Sequence, residues 1–406
     1  MIKAAVFGYG NIGSGVVRVI EENADRVEKA VGDKVEVKYV LDLREFEGDP
    51  IRSRVVHDVD VIVNDPEIQI ISETMGGNEP AYTFTKKALE AGKSVCTSNK
   101  ELVANHGAEL IRIAAEHHCN YFFEASVGGG IPIIRTINEA LTQEHLLEIS
   151  GIVNGTTNYI LTKMDREGAA FDTVLKQAQD LGYAERNPEA DIEGYDAVRK
   201  IAILSSLMSG QNVNYEDLHV EGITKISSED FLYAAKLNRS IKLLATAKKV
   251  GEKYLAMVAP FMLSKDHPLA SANDVFNAVF VKGDMLDDSM YYGRGAGKLP
   301  TASAVVADVI EAARNLGRHL PINWEEQPAK LVAFEDAKHC FFVRIDRASA
   351  DEAKAKEVFG KGEVVTVDAL ANEFAYLTEE MSEKEFAAKK ASLNGVLSAI
   401  RVDKRA

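Results

Sequence analysis

The chain has 406 residues, room for two to four domains at roughly 100–200 residues each. Its 46% hydrophobic and 27% charged residues are the composition of a globular protein with real cores. A net charge of −15 without any block of Lys or Arg argues against nucleic acid or an anionic membrane as partner, and no apolar run approaches the ~20 residues of a bilayer span.

The spacing predicts a buried strand over 2–7, followed at once by Gly8-Tyr9-Gly10-Asn11-Ile12-Gly13 and a helical pattern. This G-x-G-x-x-G sits where a dinucleotide-binding turn requires it, with glycines that let a pyrophosphate approach a helix N-terminus. A second strand over 36–41 ends at Asp42, a carboxylate placed for the adenosine ribose hydroxyls. Arg44 would instead pair with a 2′-phosphate, opposed by Glu45 and Glu47, so the pattern leans to NAD over NADP. Strands over 69–74, 94–97 and 120–124 alternate with helices over 80–91 and from 98 onward. In such open sheets the ligand lies beyond the carboxyl ends of the strands, where Thr74, Gly76, Ser98 and Lys100 fall. Next comes Glu124-Ala125-Ser126-Val127-Gly128-Gly129-Gly130-Ile131-Pro132. Its carbonyls with a carboxylate would make an oxygen cage for a cation. By spacing alone the run also reads as a flexible turn before a helix with Pro132 in its first turn.

Past residue 146 the periodicity predicts a strand over 147–153, a helix ending near Gly168, helices over 171–181 and 191–209, and strands over 240–250, 254–263 and 276–283. A second glycine-rich loop over 291–301 contains Gly295 and Gly297 and opens a helix over 302–315. Within 178–200, Gly182 breaks one helix and Asn187-Pro188 delays the next. Leu181, Ile192, Val198 and Ile201 supply apolar positions against a core, while Asp196 and Lys200 share a helix face one turn apart. Glu185, Asp191, Asp196 and Lys200 could converge on one polar spot. By itself this spacing better describes a surface loop and a helix with an ordinary ion pair worth ~0.3–0.5 kcal/mol.

Taken together, GYGNIG (8–13), TSNKELVA (97–104), EASVGGGIP (124–132), NGTTNY (154–159), the 178–200 stretch and GRGAGKLPTAS (293–303) resemble homoserine dehydrogenase over roughly residues 2–315. The resemblance implies NAD(P)-dependent interconversion of L-homoserine and L-aspartate 4-semialdehyde. It implies that Lys200 exchanges the proton on the substrate oxygen, that Lys100 assists or polarises that oxygen, and that Asp196 orients Lys200 or the substrate. Which lysine moves the proton is left open. Glu185 and Asp191 would bind the substrate ammonium, with Thr156 and Gly182 on the substrate-side loops. Gly8, Gly10, Asn11, Ile12, Gly13, Asp42, Arg44, Thr74, Gly76, Ser98, Lys100, Gly295 and Gly297 would line the nucleotide site. Glu124, Val127, Gly129 and Ile131 match the family's monovalent-cation site, for Na+ or K+. The small-molecule partner and a homodimer or higher homo-oligomer, built through the middle domain, are further expectations of the family. One departure concerns the nucleotide: only Arg44 is basic where NADP-using members carry several basic residues.

Residues 320–328, with the single tryptophan Trp324, read as a linker. The tail then reads strand, helix, strand, strand, helix, strand from 339 to 402, like an ACT regulatory module. Its first loop, 347–351, lacks the usual proline–glycine turn, so a packing module without a ligand is an equal reading. The fold class expected is therefore α/β: a Rossmann-type nucleotide-binding domain (1–130 with about 300–320), an inserted α+β substrate and dimerisation domain (131–300), and a C-terminal βαββαβ ACT-like domain (335–406). A semialdehyde dehydrogenase would need a cysteine nucleophile beside a base. Cys96 and Cys119 lie in strand patterns without one, and with Cys340 they form no metal or disulfide pattern. No secretory signal follows Met1, so a cytoplasmic location is expected. A catalytically silent nucleotide sensor acting through the tail would have lost a lysine or carboxylate, and none is lost.

Overall fold

The computed structural model describes residues 1–404 and divides into two compact units, 1–143 with 202–214 and 293–329, and 144–201 with 215–292 and from Lys330 on. No helix among the described residues is long and apolar enough to cross a membrane.

The first unit is built on a six-stranded parallel sheet: β1 (Ile2–Phe7), β2 (Val35–Leu41), β3 (Val55–Val56), β4 (Ile68–Glu73), β5 (Ser94–Thr97) and β6 (Tyr121–Phe122). Its order is β3-β2-β1-β4-β5-β6. The sequence steps outward from β1 in both directions, so β1 and β4 flank a switch point where a ligand crevice opens beyond their carboxyl ends. The strands read as continuous apolar runs because both faces are covered. Helices Asn11–Glu22 and Lys298–Arg314 cover one face, with Val16, Val17, Ile20, Val305 and Val309 in one cluster with Val6 and Ile70. Gly15 permits this packing: a Cβ there would lie 2.9 Å from that of Ala302. The strand expected over 120–124 is only two residues long, because the chain turns into a 3-10 helix at Glu124–Ser126.

The stretch read as a linker is structured. Trp324 is buried and its indole Nε1 donates to Asn212 Oδ1 at 3.2 Å. Residues Glu325–Pro328 pair with Gln211–Asn212 as a two-stranded ribbon. The polar and proline residues that suggested a linker are those of a short, exposed ribbon.

The second unit is built on a mixed sheet containing β7 (Leu146–Ile152), β8 (Arg239–Val250), β9 (Lys253–Ser264), β10 (Phe276–Gly283), β11 (Asp288–Arg294), β12 (Lys338–Asp346), β13 (Gly362–Val365), β14 (Glu373–Thr378) and β15 (Val396–Val402). The order is β11-β10-β7-β8-β9-β15-β12-β14-β13. β11 replaces the start of the expected glycine-rich loop. Its alternation of half-buried and exposed residues marks an edge strand, and the glycines at 293–297 hid it. The tail continues the sheet, with β15 parallel to β9 through Phe261↔Arg401 and Met262↔Val402.

Two expectations for 178–200 change. Leu181 is exposed and holds nothing against the core, whereas Val198 and Ile201 are buried. The helix expected over 191–209 is two helices, Glu189–Ile192 and Tyr195–Ser209. They part at Gly194, whose φ of +85° is the left-handed region that glycine enters freely.

Candidate active site

In the first unit the nucleotide turn runs from the end of β1 into helix Asn11–Glu22. Gly8 has φ +85°, and a Cβ at Gly13 would fall 2.8 Å from Thr74 Oγ1 and closer still to the Gly8 carbonyl. Around Gly10 nothing lies within 4 Å of a Cβ position, so the middle of the turn faces open space. Thr74 Oγ1 donates to the carbonyls of Phe7 (3.0 Å) and Gly8 (2.9 Å), which pins the turn to the end of β4. With Asn11 and Ile12 opening the helix, this is a backbone cradle shaped for a pyrophosphate.

Asp42 follows β2, but its carboxylate is engaged. It accepts from Tyr9 N at 2.8 Å and from Arg44 Nε and Nη2 at 2.9 and 2.8 Å. The Arg44 hydrogen bonds hold the Asp42 carboxyl down at about 2. Asp42 and Arg44, set against each other by the sequence reading, are a bidentate pair.

Beyond β4, Gly76 and Gly77 take φ of +81° and +71°. Asn99 ties this loop to the next helix. Its Nδ2 donates to Gly77 O at 2.6 Å, while its Oδ1 caps Lys100–Glu116 by accepting from Leu102 N at 3.1 Å. Ser98 N bonds Glu73 O, and Lys100 is the half-buried first residue of that helix. Beneath lies Glu73, whose carboxyl is raised by burial and accepts from Thr97 Oγ1 at 2.6 Å. Asn99 and Glu73 were missed; an asparagine before Lys-Glu at a helix start is the cap signal that identifies the first.

The Glu124–Pro132 run is docked rather than loose. Residues 124–129 are buried, Gly130 N donates to Arg294 O at 3.0 Å, and a Cβ on Gly129 would sit 2.5 Å from the Gly295 carbonyl carbon. Pro132 precedes the short helix Ile133–Arg135 as its N-cap. The Glu124 carboxylate accepts from Ile134 N and Arg135 N at 2.9 and 2.7 Å, and burial raises its pKa to about 7. Its oxygens thus serve that helix start. Gly297, with φ +121°, caps Lys298–Arg314.

In the second unit, β7 ends at Ile152 and Asn154 caps helix Gly155–Glu167. Lys200 Nζ donates to Asp196 Oδ2 at 2.6 Å and to Val153 O at 2.7 Å. Both side chains are about nine-tenths buried. This is therefore not the solvated surface pair that helical spacing alone describes, and its partners carry the cost of desolvation. Asn154 Nδ2 donates to Asp191 Oδ1 at 2.7 Å and to Asp196 Oδ2 at 2.9 Å, so three of the expected residues meet through one that was not singled out. Burial raises the Asp191 carboxyl, and the Asn154 hydrogen bond opposes it. Thr156 Oγ1 donates to Tyr183 O at 2.7 Å and so holds the loop after Gly182, whose φ is +74°. Glu185 lies on the exposed side of that loop, outside this network. Chemically, a buried ammonium held by one carboxylate and one carbonyl, with a second carboxylate alongside, suits proton exchange beside a cationic group on a substrate.

The model of the homoserine dehydrogenase NAD binding domain matches residues 8–124, and that of homoserine dehydrogenase matches residues 132–310. A homoserine dehydrogenase of Bacillus subtilis is 42% identical over 318 residues, spanning 78% of this chain and 73% of that protein. The crystal structure of a homoserine dehydrogenase from Thiobacillus denitrificans superposes with a TM-score of 0.91 at 32% identity, covering 99% of this chain and 98% of that one. A hyperthermophilic archaeal homoserine dehydrogenase, solved in complex with NADPH, does so at 0.67 and 28% identity, covering 79% and 99%. With both family models, a relative spanning most of both chains and a full-length structural match in accord, the chain belongs to the homoserine dehydrogenase family.

Proposed function

We propose that the chain interconverts L-homoserine and L-aspartate 4-semialdehyde with NAD(P). The observation that carries the reading is the buried Lys200–Asp196 pair at the end of the 178–200 stretch. When bound, the nicotinamide takes up or returns the hydride. Lys200 exchanges the proton on the substrate oxygen, and the Val153 carbonyl and Asp196 hold its nitrogen in place. Asp191 and Glu185 receive the substrate ammonium, with Thr156 fixing the loop that carries Tyr183. For Lys100 the resemblance supplies the role of assisting at the reacting oxygen. The glycine turn, Thr74 and the 76–77 and 295–297 loops bind the nucleotide. Asp42 meets the adenosine ribose, and the Asp42–Arg44 pairing favours NAD. A monovalent cation held by the carbonyls of Glu124, Val127, Gly129 and Ile131 braces the loop and takes no part in hydride transfer.

The tail is assigned to the ACT class because its strands stand in the order β15-β12-β14-β13 with two helices between them. A rate and unfolding midpoint that stay constant across millimolar threonine would remove feedback by that amino acid. A homodimer is assigned to the second unit, where Met285, Leu286, Met290 and Tyr292 are exposed. The test of the catalytic assignment is Lys200→Ala. It should lose homoserine oxidation by about 10²–10⁴-fold while still binding nucleotide. Near-normal turnover would remove the role given to Lys200.

A further inference from the structure

Asn154 has no part in the proton exchange as described, yet every polar atom of its side chain is committed. It is buried, and its Oδ1 accepts from Thr157 N at 2.9 Å, the N-cap bond of helix Gly155–Glu167. With Oδ1 turned to the helix, the two Nδ2 hydrogens face away from it. They meet Asp191 Oδ1 at 2.7 Å and Asp196 Oδ2 at 2.9 Å. Asp196 Oδ2 is the oxygen that also accepts from Lys200 Nζ, and Val153, the residue before Asn154, accepts the second Lys200 bond. Lys200 is thus faced by Asp196 from its own helix, by Asp191 from helix Glu189–Ile192, and by the Val153–Asn154 segment from the end of β7.

We propose that Asn154 is a positioning residue for proton transfer: its amide clamps Asp191 and Asp196 together and so sets how much negative charge Lys200 meets. The proposal rests on the reading of Lys200 as the acid/base group. Two carboxylates gathered at one nitrogen repel each other, and two N–H donors offset that repulsion by stabilising both in the charged form. Asp196, sharing its oxygen between an amide and an ammonium, concentrates less of its charge on Lys200 than it would alone. Without the amide, Asp196 Oδ2 turns its charge to the ammonium alone. Capping accounts for Oδ1 alone and leaves the two Nδ2 bonds unexplained.

The two roles separate in Asn154→Ser. Serine caps a helix about as well as asparagine, but its single hydroxyl does not span both carboxylates. At saturating nucleotide, kcat/KM for homoserine should fall by about 10- to 100-fold, the range typical for loss of a residue that orients an active group. The acidic limb of its pH profile should move to higher pH, with the thermal midpoint near that of the wild type. Asn154→Asp keeps the cap and adds a third carboxylate, so it should move the same limb further. Wild-type kcat/KM and an unmoved limb in Asn154→Ser would overturn the proposal and leave Asn154 a helix cap. If Asn154→Ser does not fold, an unmoved limb in Asn154→Asp overturns it equally. Lys200→Ala, measured alongside, distinguishes the underlying reading: retained turnover there removes the acid/base role itself, whereas lost turnover there with an unmoved limb in Asn154→Ser removes only the part given to Asn154.

Discussion

Asp42 and Arg44 act as one unit at the end of β2. With its carboxylate beside the Arg44 guanidinium, Asp42 would repel a 2′-phosphate, so NAD should be used more efficiently than NADP. Asp42→Ala frees Arg44 and removes the repelling charge. The ratio of NADP to NAD efficiency should then rise by about tenfold or more, for one charge-assisted contact of roughly 1.5–3 kcal/mol. An unchanged ratio in steady-state assays would contradict this. The convergence of Asp191, Asp196 and Lys200 was legible in the spacing of the 178–200 stretch. Their supports were not. Asn154 lies 42 residues from Asp196, and nothing in local sequence announces a contact made by folding. The same distance in sequence concealed that the Asp196–Lys200 pair is buried.

Among elements, strand and helix periodicity placed β1, β2, β4, β5, β8, β9 and β10 within a residue or two. It failed at edges, where β11 and the Glu325–Pro328 ribbon bury little and so carry no apolar run. It failed also at Gly194, where one left-handed residue divides an otherwise helical pattern. Two buried titratable groups on the strands make the fold respond to pH. Lys242 on β8 donates to Asn158 Oδ1, Ala272 O and Asn273 Oδ1, and burial lowers its pKa to about 8. Its proton is bound more tightly in the unfolded chain, so its contribution to stability is lost as pH falls from 10.5 through 8 and recovered as pH rises. The full swing is about 3 kcal/mol. Urea midpoints of the wild type should therefore gain on those of Lys242→Met across that window, and parallel curves would contradict the assignment. His339 on β12 is pushed down to about 3 by burial, with Arg401 and Lys248 adding to it. Its stabilising contribution is lost as pH falls from 6.5 through 3, so His339→Gln should unfold less readily in that acid range than the wild type. Equal acid midpoints in the two proteins would count against a buried neutral histidine there.

For the whole molecule, the existence of a parallel nucleotide-binding sheet, a mixed second sheet and a βαββαβ tail was legible from alternating patterns and glycine turns. The joining of tail and middle strands in one sheet was not, because the β9–β15 pairing links segments far apart in the chain. Trp324, the single tryptophan, lies in the unit that carries the glycine turn and is buried beside Gly107, so its fluorescence reports that unit. NAD(P) at about 100 times its Kd should raise the urea midpoint seen by Trp324, equivalent to about 2.7 kcal/mol for one site. An unmoved midpoint at saturation would argue against a nucleotide site in that unit.

Hydride transfer between homoserine and a nicotinamide is the activity of this family. Absorbance of the reduced nicotinamide, followed with wild-type protein, L-homoserine and either NAD+ or NADP+, tests it directly. Homoserine-dependent reduction of at least one nucleotide is expected, faster with NAD+ and lost in Lys200→Ala. Folded wild-type protein that binds nucleotide but turns over homoserine with neither would contradict it.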